Sequence, residues 1–298
     1  MKSYLISSTK KSSGKTIIAT GISSILSRTD SLAVFKKGPD YIDPYWPSLA
    51  SKVNCYNLDF FTMSNSEIKK LYKQMSYEKN ISIIEGNKGL FDGISLDGGD
   101  SNASLAHLLK LEVILVIDCV GMTRGVAPLL KGYQEFDKKI KYKGIILNNI
   151  ANDRHENKVI NAINEFTKLK VIGSIHKNKQ LTIMEKKLGL EPVFQNPYTK
   201  NIIKNISSVI KKSVDMKYLI NKKTNNKDNK IPKVVLKKNI YSNLRIGVAF
   251  DSAFGFYYPD DINEFKRLGA KIIYFDTLKD KVLPKVDGLF IGGGFPER

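Results

Sequence analysis

The sequence predicts an α/β protein built on a parallel sheet, and three observations carry that reading. Short, uniformly apolar segments alternate with longer segments of helical periodicity along most of the chain, the pattern of a parallel sheet buried on both faces. The segment Ser7-Ser-Thr-Lys-Lys-Ser-Ser-Gly-Lys-Thr16 lies between an apolar run and a helical stretch, the setting of a phosphate-binding (P-loop) turn. A Lys- and Asn-rich stretch, Asn221–Asn239, then breaks the alternation before a second α/β pattern starts. The expected organisation is a P-loop unit over 1–218, a basic linker over 219–242 and a second unit over 243–298.

Composition narrows the function classes. The chain has 298 residues, 42% of them hydrophobic and 10% aromatic, enough for a real core and about two domains. It holds no run of about eighteen apolar residues, and Met1-Lys2-Ser3 leads straight into a strand without a signal-peptide core, so a cytoplasmic protein is expected. Cys55 and Cys119 are far apart in sequence and have neither disulfide nor metal spacing, so both are expected to pack in the core. The net charge of +19 comes from lysines spread over many segments, with one dense block from Lys217 to Lys238. A charge so dispersed predicts neither a nucleic-acid nor a membrane partner.

Each element then follows in order. Tyr4-Leu5-Ile6 is the first strand, and Ile17–Ile22 carries apolar residues at helical spacing. Between them the backbone around Thr9, Ser12, Ser13 and Gly14 would cradle a polyphosphate at a helix N-terminus. Lys15 would neutralise its outer charges, and the Thr16 hydroxyl would ligate Mg²⁺. The full P-loop pattern would begin with glycine where this chain has Thr9, so the loop is a variant.

The strand Leu32–Lys36 empties into Lys37-Gly-Pro-Asp-Tyr-Ile-Asp-Pro44. Its prolines and glycine forbid helix and fix a loop at a strand's C-terminal end, the edge at which open α/β sheets bind ligands. Asp40 and Asp43 are candidates to hold Mg²⁺ or position a nucleotide, with Lys36 adding positive charge. The alternative is that both aspartates cap turns.

Ser64-Asn-Ser-Glu67 is a capping box that opens a helix through Tyr77. The strand Ile81–Ile84 ends in Glu85, a carboxylate at a strand tip facing the phosphate loop and so a candidate Mg²⁺ ligand. Asp92, between Phe91 and Gly93, is either a substrate or metal residue or a turn former. Next come helix Ala103–Leu111, strand Val113–Asp118, helix Arg124–Phe136, strand Gly144–Leu147, helix Arg154–Phe166 and strand Val171–Ile175. Asn148 and Asn149 end a strand where a nucleotide base would lie, and amides there can read adenine. His155 and His176 have no ligand-spaced partners, so no metal site is expected at either. After the linker the pattern gives strand Arg245–Phe250, helix Asp260–Leu268 and strands Ile272–Phe275 and Gly288–Ile291.

Several segments fall together in the order of one family: Lys36-Lys-Gly-Pro-Asp-Tyr-Ile-Asp-Pro44, Glu85-Gly-Asn-Lys-Gly-Leu-Phe-Asp-Gly93, Gly144-Ile-Ile-Leu-Asn148 with Arg154-His155, Leu188-Gly-Leu190, Asp251-Ser-Ala-Phe-Gly-Phe-Tyr-Tyr-Pro259 and Gly292-Gly-Gly-Phe-Pro-Glu297. Over essentially its whole length the chain resembles the cobyrinate a,c-diamide synthase family, including the closely similar hydrogenobyrinate enzymes. It departs from the family at His176, where proline is usual, and at Lys187, where histidine is common.

The resemblance implies a glutamine-dependent amidoligase of cobalamin biosynthesis. Its first part would be similar to dethiobiotin synthetase and bind ATP, Mg²⁺ and a corrinoid polycarboxylate. ATP would phosphorylate a side-chain carboxylate of the substrate, and ammonia would displace the phosphate. On this reading Mg²⁺ sits on Thr16, Asp40 and Glu85. Lys15 offsets charge on the transferred group, and Lys36, Asp43 and Asp92 surround the reacting carboxylate. The second part would resemble a class I glutaminase, with Gly292-Gly-Gly294 in its oxyanion-hole loop. The family's Ala-Glu-Cys-Gly-Gly nucleophile segment is not among these residues, so that part is expected to be incomplete, and the nitrogen source is glutamine or ammonia. A homodimer or a separate glutaminase subunit is the expected assembly. The alternatives are another tetrapyrrole substrate, a partitioning-type P-loop ATPase and a non-catalytic fragment.

Overall fold

The computed structural model describes residues 1–178, 181, 183, 185–186, 189–190, 192–193, 197–220 and 241–297. The linker stretch Asn221–Asn239, Lys187 and Leu188 of the Leu188-Gly-Leu190 motif lie outside the described residues.

The first half alternates as its sequence predicts: β1 (Lys2–Ser8), α1 (Lys15–Leu26), β2 (Leu32–Lys37), α2 (Tyr45–Ser51), β3 (Cys55–Leu58), α3 (Asn65–Met75), β4 (Ile81–Glu85), α4 (Asn102–Leu109), β5 (Glu112–Asp118), α5 (Val126–Phe136), β6 (Lys141–Ile150), α6 (Asp153–Phe166) and β7 (Val171–His176). A short ladder of β8 (Glu185–Lys186) and β9 (Gly189–Leu190) follows, then α7 (Thr199–Ser213) and α8 (Met216–Ile220). Seven strands form one parallel sheet in the order β3-β2-β4-β1-β5-β6-β7.

The strands are apolar throughout because both faces are covered. Leu5, Phe35, Ile84, Leu115 and Leu147 face a core shared with α3 to α6, while Tyr4, Ile6, Val34, Ile83 and Val116 face one shared with α1, α2 and α7. That alternation decides where polar residues at strand ends point. Lys36 and Glu85 are level with each other in the β2–β4 ladder and continue the α1 side, so they meet the start of α1. Lys37 continues the other side, where its ammonium donates to the Asp100 carbonyl.

Six elements of this first unit stand where the sequence predicts none: the β8–β9 ladder, α2, β3, α7 and α8. In α2, Pro47 occupies the first helical turn, where a missing N–H breaks no bond. β3 is only Cys55-Tyr-Asn-Leu58, too short for its pattern to show. The amphipathic α7 brings Ile206 and Ile210 against α1. Gly21 allows that approach, since a Cβ there would lie 2.4 Å from Ile210 Cγ1. The brief α8 buries Leu219 in the same core.

The second half holds β10 (Arg245–Ala249), β11 (Phe254–Phe256), α9 (Pro259–Arg267), β12 (Lys271–Phe275), β13 (Gly288–Phe290) and β14 (Gly293–Gly294). β12-β10-β13 is a parallel sheet, and β11 pairs with β14 antiparallel. Val248, Tyr257 and Ile262 form its small core. Among the described residues no helix is long and apolar enough to cross a membrane.

Candidate active site

The loop between β1 and α1 is shaped by its own small residues. Ser12 and Gly14 adopt left-handed backbone, with φ of 57° and 89°, and a Cβ on Gly14 would lie 2.4 Å from Asn148 Nδ2. Only glycine satisfies both demands at that position. The Lys10 carbonyl is the hub: Ser8 Oγ donates to it at 2.6 Å and Ser13 Oγ at 2.9 Å. Lys15 Nζ lies 2.9 Å from Ser8 Oγ and 3.4 Å from the same carbonyl. Thr9 accepts a bond from the Tyr133 hydroxyl at 3.0 Å, so α5 braces the loop from outside.

At the start of α1 the Thr16 hydroxyl lies 2.5 Å from Glu85 Oε1 and 3.3 Å from Asp43 Oδ2. Lys36 Nζ bridges the same two carboxylates, at 2.6 Å to Asp43 and 2.7 Å to Glu85, with Asp40 Oδ2 at 3.5 Å. Four of the residues expected at the site, Thr16, Lys36, Asp43 and Glu85, therefore form one cluster. Asp40 stands at its edge. Its Oδ1 accepts from the Ile42 and Asp43 amides at 2.9 and 3.0 Å, the turn-capping geometry that the sequence left open, while its Oδ2 still faces Lys36.

Asp92 is exposed and accepts from the Gly89 amide at 3.0 Å, so it too caps a turn. Asn148 donates to the Ser13 carbonyl at 2.9 Å, which ties the end of β6 to the phosphate loop. Asn149 adopts φ of 58° and donates to Asp118. Asp118 in turn pairs with Lys10 at 2.9 Å.

Charge and burial set the protonation of the cluster. Burial alone would discharge Lys36, but the Asp43, Glu85 and Asp40 carboxylates outweigh it and hold the ammonium well above its usual range. Burial would likewise raise Asp43, yet the Lys36 charge and hydrogen bond keep it below the ordinary carboxylate value. Burial wins at Glu85 and Asp40, which are raised. Lys15 is pushed down to about 8, first by burial and then by Lys36, against the pull of Glu85.

The donor set fits a magnesium ion. Thr16, Asp43 and Glu85 offer hard oxygens, and Glu85 Oε2 is buried without a hydrogen-bond partner among the described residues, so it has a lone pair to give. Two ammonium groups, Lys15 and Lys36, face three carboxylates, Asp40, Asp43 and Glu85.

Sequence reasoning missed Asn57, Asn102 and Tyr133. Asn57 Nδ2 donates to the Gly38 and Asp40 carbonyls, both at 2.8 Å. Asn102 Nδ2 reaches Ser7 Oγ at 3.1 Å and the Asn87 and Gly89 carbonyls at 2.5 and 2.8 Å, joining the loops after β1 and β4. Their partners are distant in sequence, and no local signal marks them. His176 Nε2 lies 2.6 Å from Glu156 and 3.9 Å from Asp153, in a cluster assembled between β7 and α6. Cys55 and Cys119 are buried and free, as expected.

A family profile described as an AAA domain matches residues 52–185. The cobyrinate a,c-diamide synthase of Magnetococcus marinus is 39% identical, covering 98% of this chain and 64% of its own length. Those of Picrophilus torridus and Methanobrevibacter smithii are 39% and 37% identical, covering 100% and 98% of this chain and 68% and 65% of their own lengths. The chain thus spans about two thirds of the length of these relatives. Likeness to solved structures is looser: MinD of Aquifex aeolicus gives a TM-score of 0.43 at 15% identity, covering 72% of this chain and 98% of that one, too distant to speak of function. On the identity and coverage of these relatives, the chain belongs to the cobyrinate a,c-diamide synthase family.

Proposed function

We propose that this chain carries the ATP-dependent half of an a,c-diamide synthase reaction, converting the a and c side-chain carboxylates of cobyrinate to amides with nitrogen from glutamine or ammonia. The observation that carries the reading is the buried Lys36 ammonium bridging Asp43 and Glu85 beside Lys15 and Thr16.

A carboxylate is a poor electrophile until one of its oxygens becomes part of a leaving group. In the proposed first step a substrate carboxylate oxygen attacks the γ-phosphorus of ATP, the bond to the ADP oxygen breaks, and an acyl phosphate forms. In the second, ammonia attacks the acyl carbon, inorganic phosphate leaves with that oxygen, and the nitrogen gives up a proton. Both partners of the first step are anions, so positioned positive charge is what this chain must supply. Lys15 reaches the loop that would hold the phosphates. Lys36 stays protonated because its carboxylate partners outweigh its burial, and so keeps its charge throughout. Thr16, Asp43 and Glu85 would hold Mg²⁺, which when bound screens phosphate charge, and Asp40 fixes the turn that presents Asp43. Hydrogenobyrinate would undergo the same chemistry.

The test is ATP turnover with Mg²⁺, ammonium chloride and cobyrinate or hydrogenobyrinate, followed by product mass. The reading expects ADP formation that depends on the corrinoid and a stepwise exchange of hydroxyl for amino groups. ATP binding without any corrinoid amidation would overturn it.

A further inference from the structure

The Phe-Tyr-Tyr-Pro segment of the second half has no part in the chemistry above, yet it touches the aspartate loop directly. The Tyr41 ring, between Asp40 and Asp43, stacks on Tyr258 with centroids 4.3 Å apart and planes within 13°. The Phe256 ring lies 6.1 Å from that of Tyr41, with planes within 20°. Nearby, the Tyr45 hydroxyl donates to the Gly255 carbonyl at 2.7 Å, and Asn263 Nδ2 to the Tyr56 hydroxyl at 3.2 Å.

Each side of this contact is held from behind. Asp251 accepts from the Ala253 and Phe254 amides at 2.7 and 2.8 Å and from the Thr277 amide and hydroxyl at 2.6 and 2.7 Å. The Tyr257 hydroxyl donates to the Ala249 carbonyl and accepts from the Gly292 amide. Tyr258 is thus presented by a pinned segment. On the other side, Asn57 holds the Gly38 and Asp40 carbonyls, and Asp40 holds the Ile42 and Asp43 amides. Between these fixed points the Tyr41 ring is the side chain that the second half grips by stacking.

We propose that Tyr258 is a positioning residue: by stacking on Tyr41 it holds the turn that sets Asp40 and Asp43 against Lys36. The proposal rests on the reading of that cluster as the phosphoryl-transfer site, but its structural half can be tested without it. An offset aromatic pair adds a modest but real term beyond its buried area, and a turn held by it opens more often once the stack is lost.

The experiment compares the full chain with Tyr258→Ala and Tyr258→Phe, with Tyr41→Leu as a second variant that removes the same stack without touching the second sheet. Hydrogen exchange is read at the Ile42 and Asp43 amides, and corrinoid-dependent ADP formation is resolved into kcat and KM for ATP. Tyr258→Ala and Tyr41→Leu are expected to speed exchange at those two amides by about five- to tenfold. They should lower kcat by a similar factor while KM stays near that of the parent chain, because the phosphate loop is untouched. Tyr258→Phe keeps the ring and should match the parent. Unchanged exchange in Tyr41→Leu, or a Tyr258→Phe variant as fast as Tyr258→Ala, would overturn the proposal. A parent chain without corrinoid-dependent turnover would sink the functional reading alone, and the exchange result would still decide the positioning role.

Discussion

Lys36 Nζ lies 2.6 Å from Asp43 Oδ2, and this ion pair is almost fully shielded on the lysine side, where the side chain is 2% exposed. A lysine at that depth is tolerated only with its charge matched. The pairing follows from register: Lys36, near the end of β2, lies on the α1 face level with Glu85, and the turn capped by Asp40 brings Asp43 over the same spot.

Removing the ammonium by Lys36→Met would strand Glu85 and Asp43 without their countercharge. Breaking a buried pair from one side costs about 3–5 kcal/mol. Denaturant unfolding should show a loss of that size, together with loss of corrinoid-dependent ADP formation. Full stability would mean that the two carboxylates are neutral in the fold.

The two aspartates of the loop should behave differently. Asp43→Asn weakens the ion pair and removes a hard anionic oxygen beside Thr16, so kcat is expected to fall roughly a hundredfold or more. Asp40→Asn keeps the Oδ1 acceptor that caps Ile42 and Asp43, and its effect should be much smaller. Steady-state kinetics on both variants, with Mg²⁺ titrated, decides between them. Equal losses would return Asp40 to the metal.

Lys15 makes nucleotide affinity depend on pH. Its folded value is lowered to about 8, and bound phosphate raises it, because an ammonium beside phosphate is favoured. Binding therefore takes up a proton above pH 8 and none well below it, by linkage. ATP affinity should be flat below neutrality and weaken as pH rises through about 8. Lys15→Arg, charged at every accessible pH, should remove that inflection. An inflection of equal size in Lys15→Arg would assign the proton elsewhere.

Gly14→Ala meets two obstacles at once. Left-handed backbone costs a non-glycine residue roughly 1–2 kcal/mol, and the new Cβ would strike Asn148 Nδ2. Isothermal titration should find ATP affinity lowered by more than tenfold. Adding Asn148→Ala relieves the clash but not the backbone strain, so recovery is expected to be partial. Complete recovery would show that φ at Gly14 does not matter.

The sheet was legible because Ile83, Val116 and Ile146 belong to strands with no polar side to confuse the period. The phosphate loop, Lys36 and Glu85 were legible because strand ends and small-residue loops announce themselves locally. The division of labour between Asp40 and Asp43 was not, since both lie in one loop and only the turn made by Asp40 decides which of them reaches Thr16. The bond from the Asn148 amide to the Ser13 carbonyl is visible only in the folded loop. Asn57, Asn102 and Tyr133 act through partners that only the sheet order brings near. The His176 cluster likewise depends on α6 returning beside β7.

The acyl phosphate is the central claim, and oxygen labelling tests it most directly. Cobyrinate carrying ¹⁸O in its side-chain carboxylates would be incubated with the chain, ATP, Mg²⁺ and ammonium, and the released phosphate examined by mass spectrometry. Transfer through an acyl phosphate predicts a labelled oxygen in phosphate for each amide formed. Amide product with unlabelled phosphate would contradict that route, and label-free phosphate without amide would reduce the site around Lys36 to an ATPase.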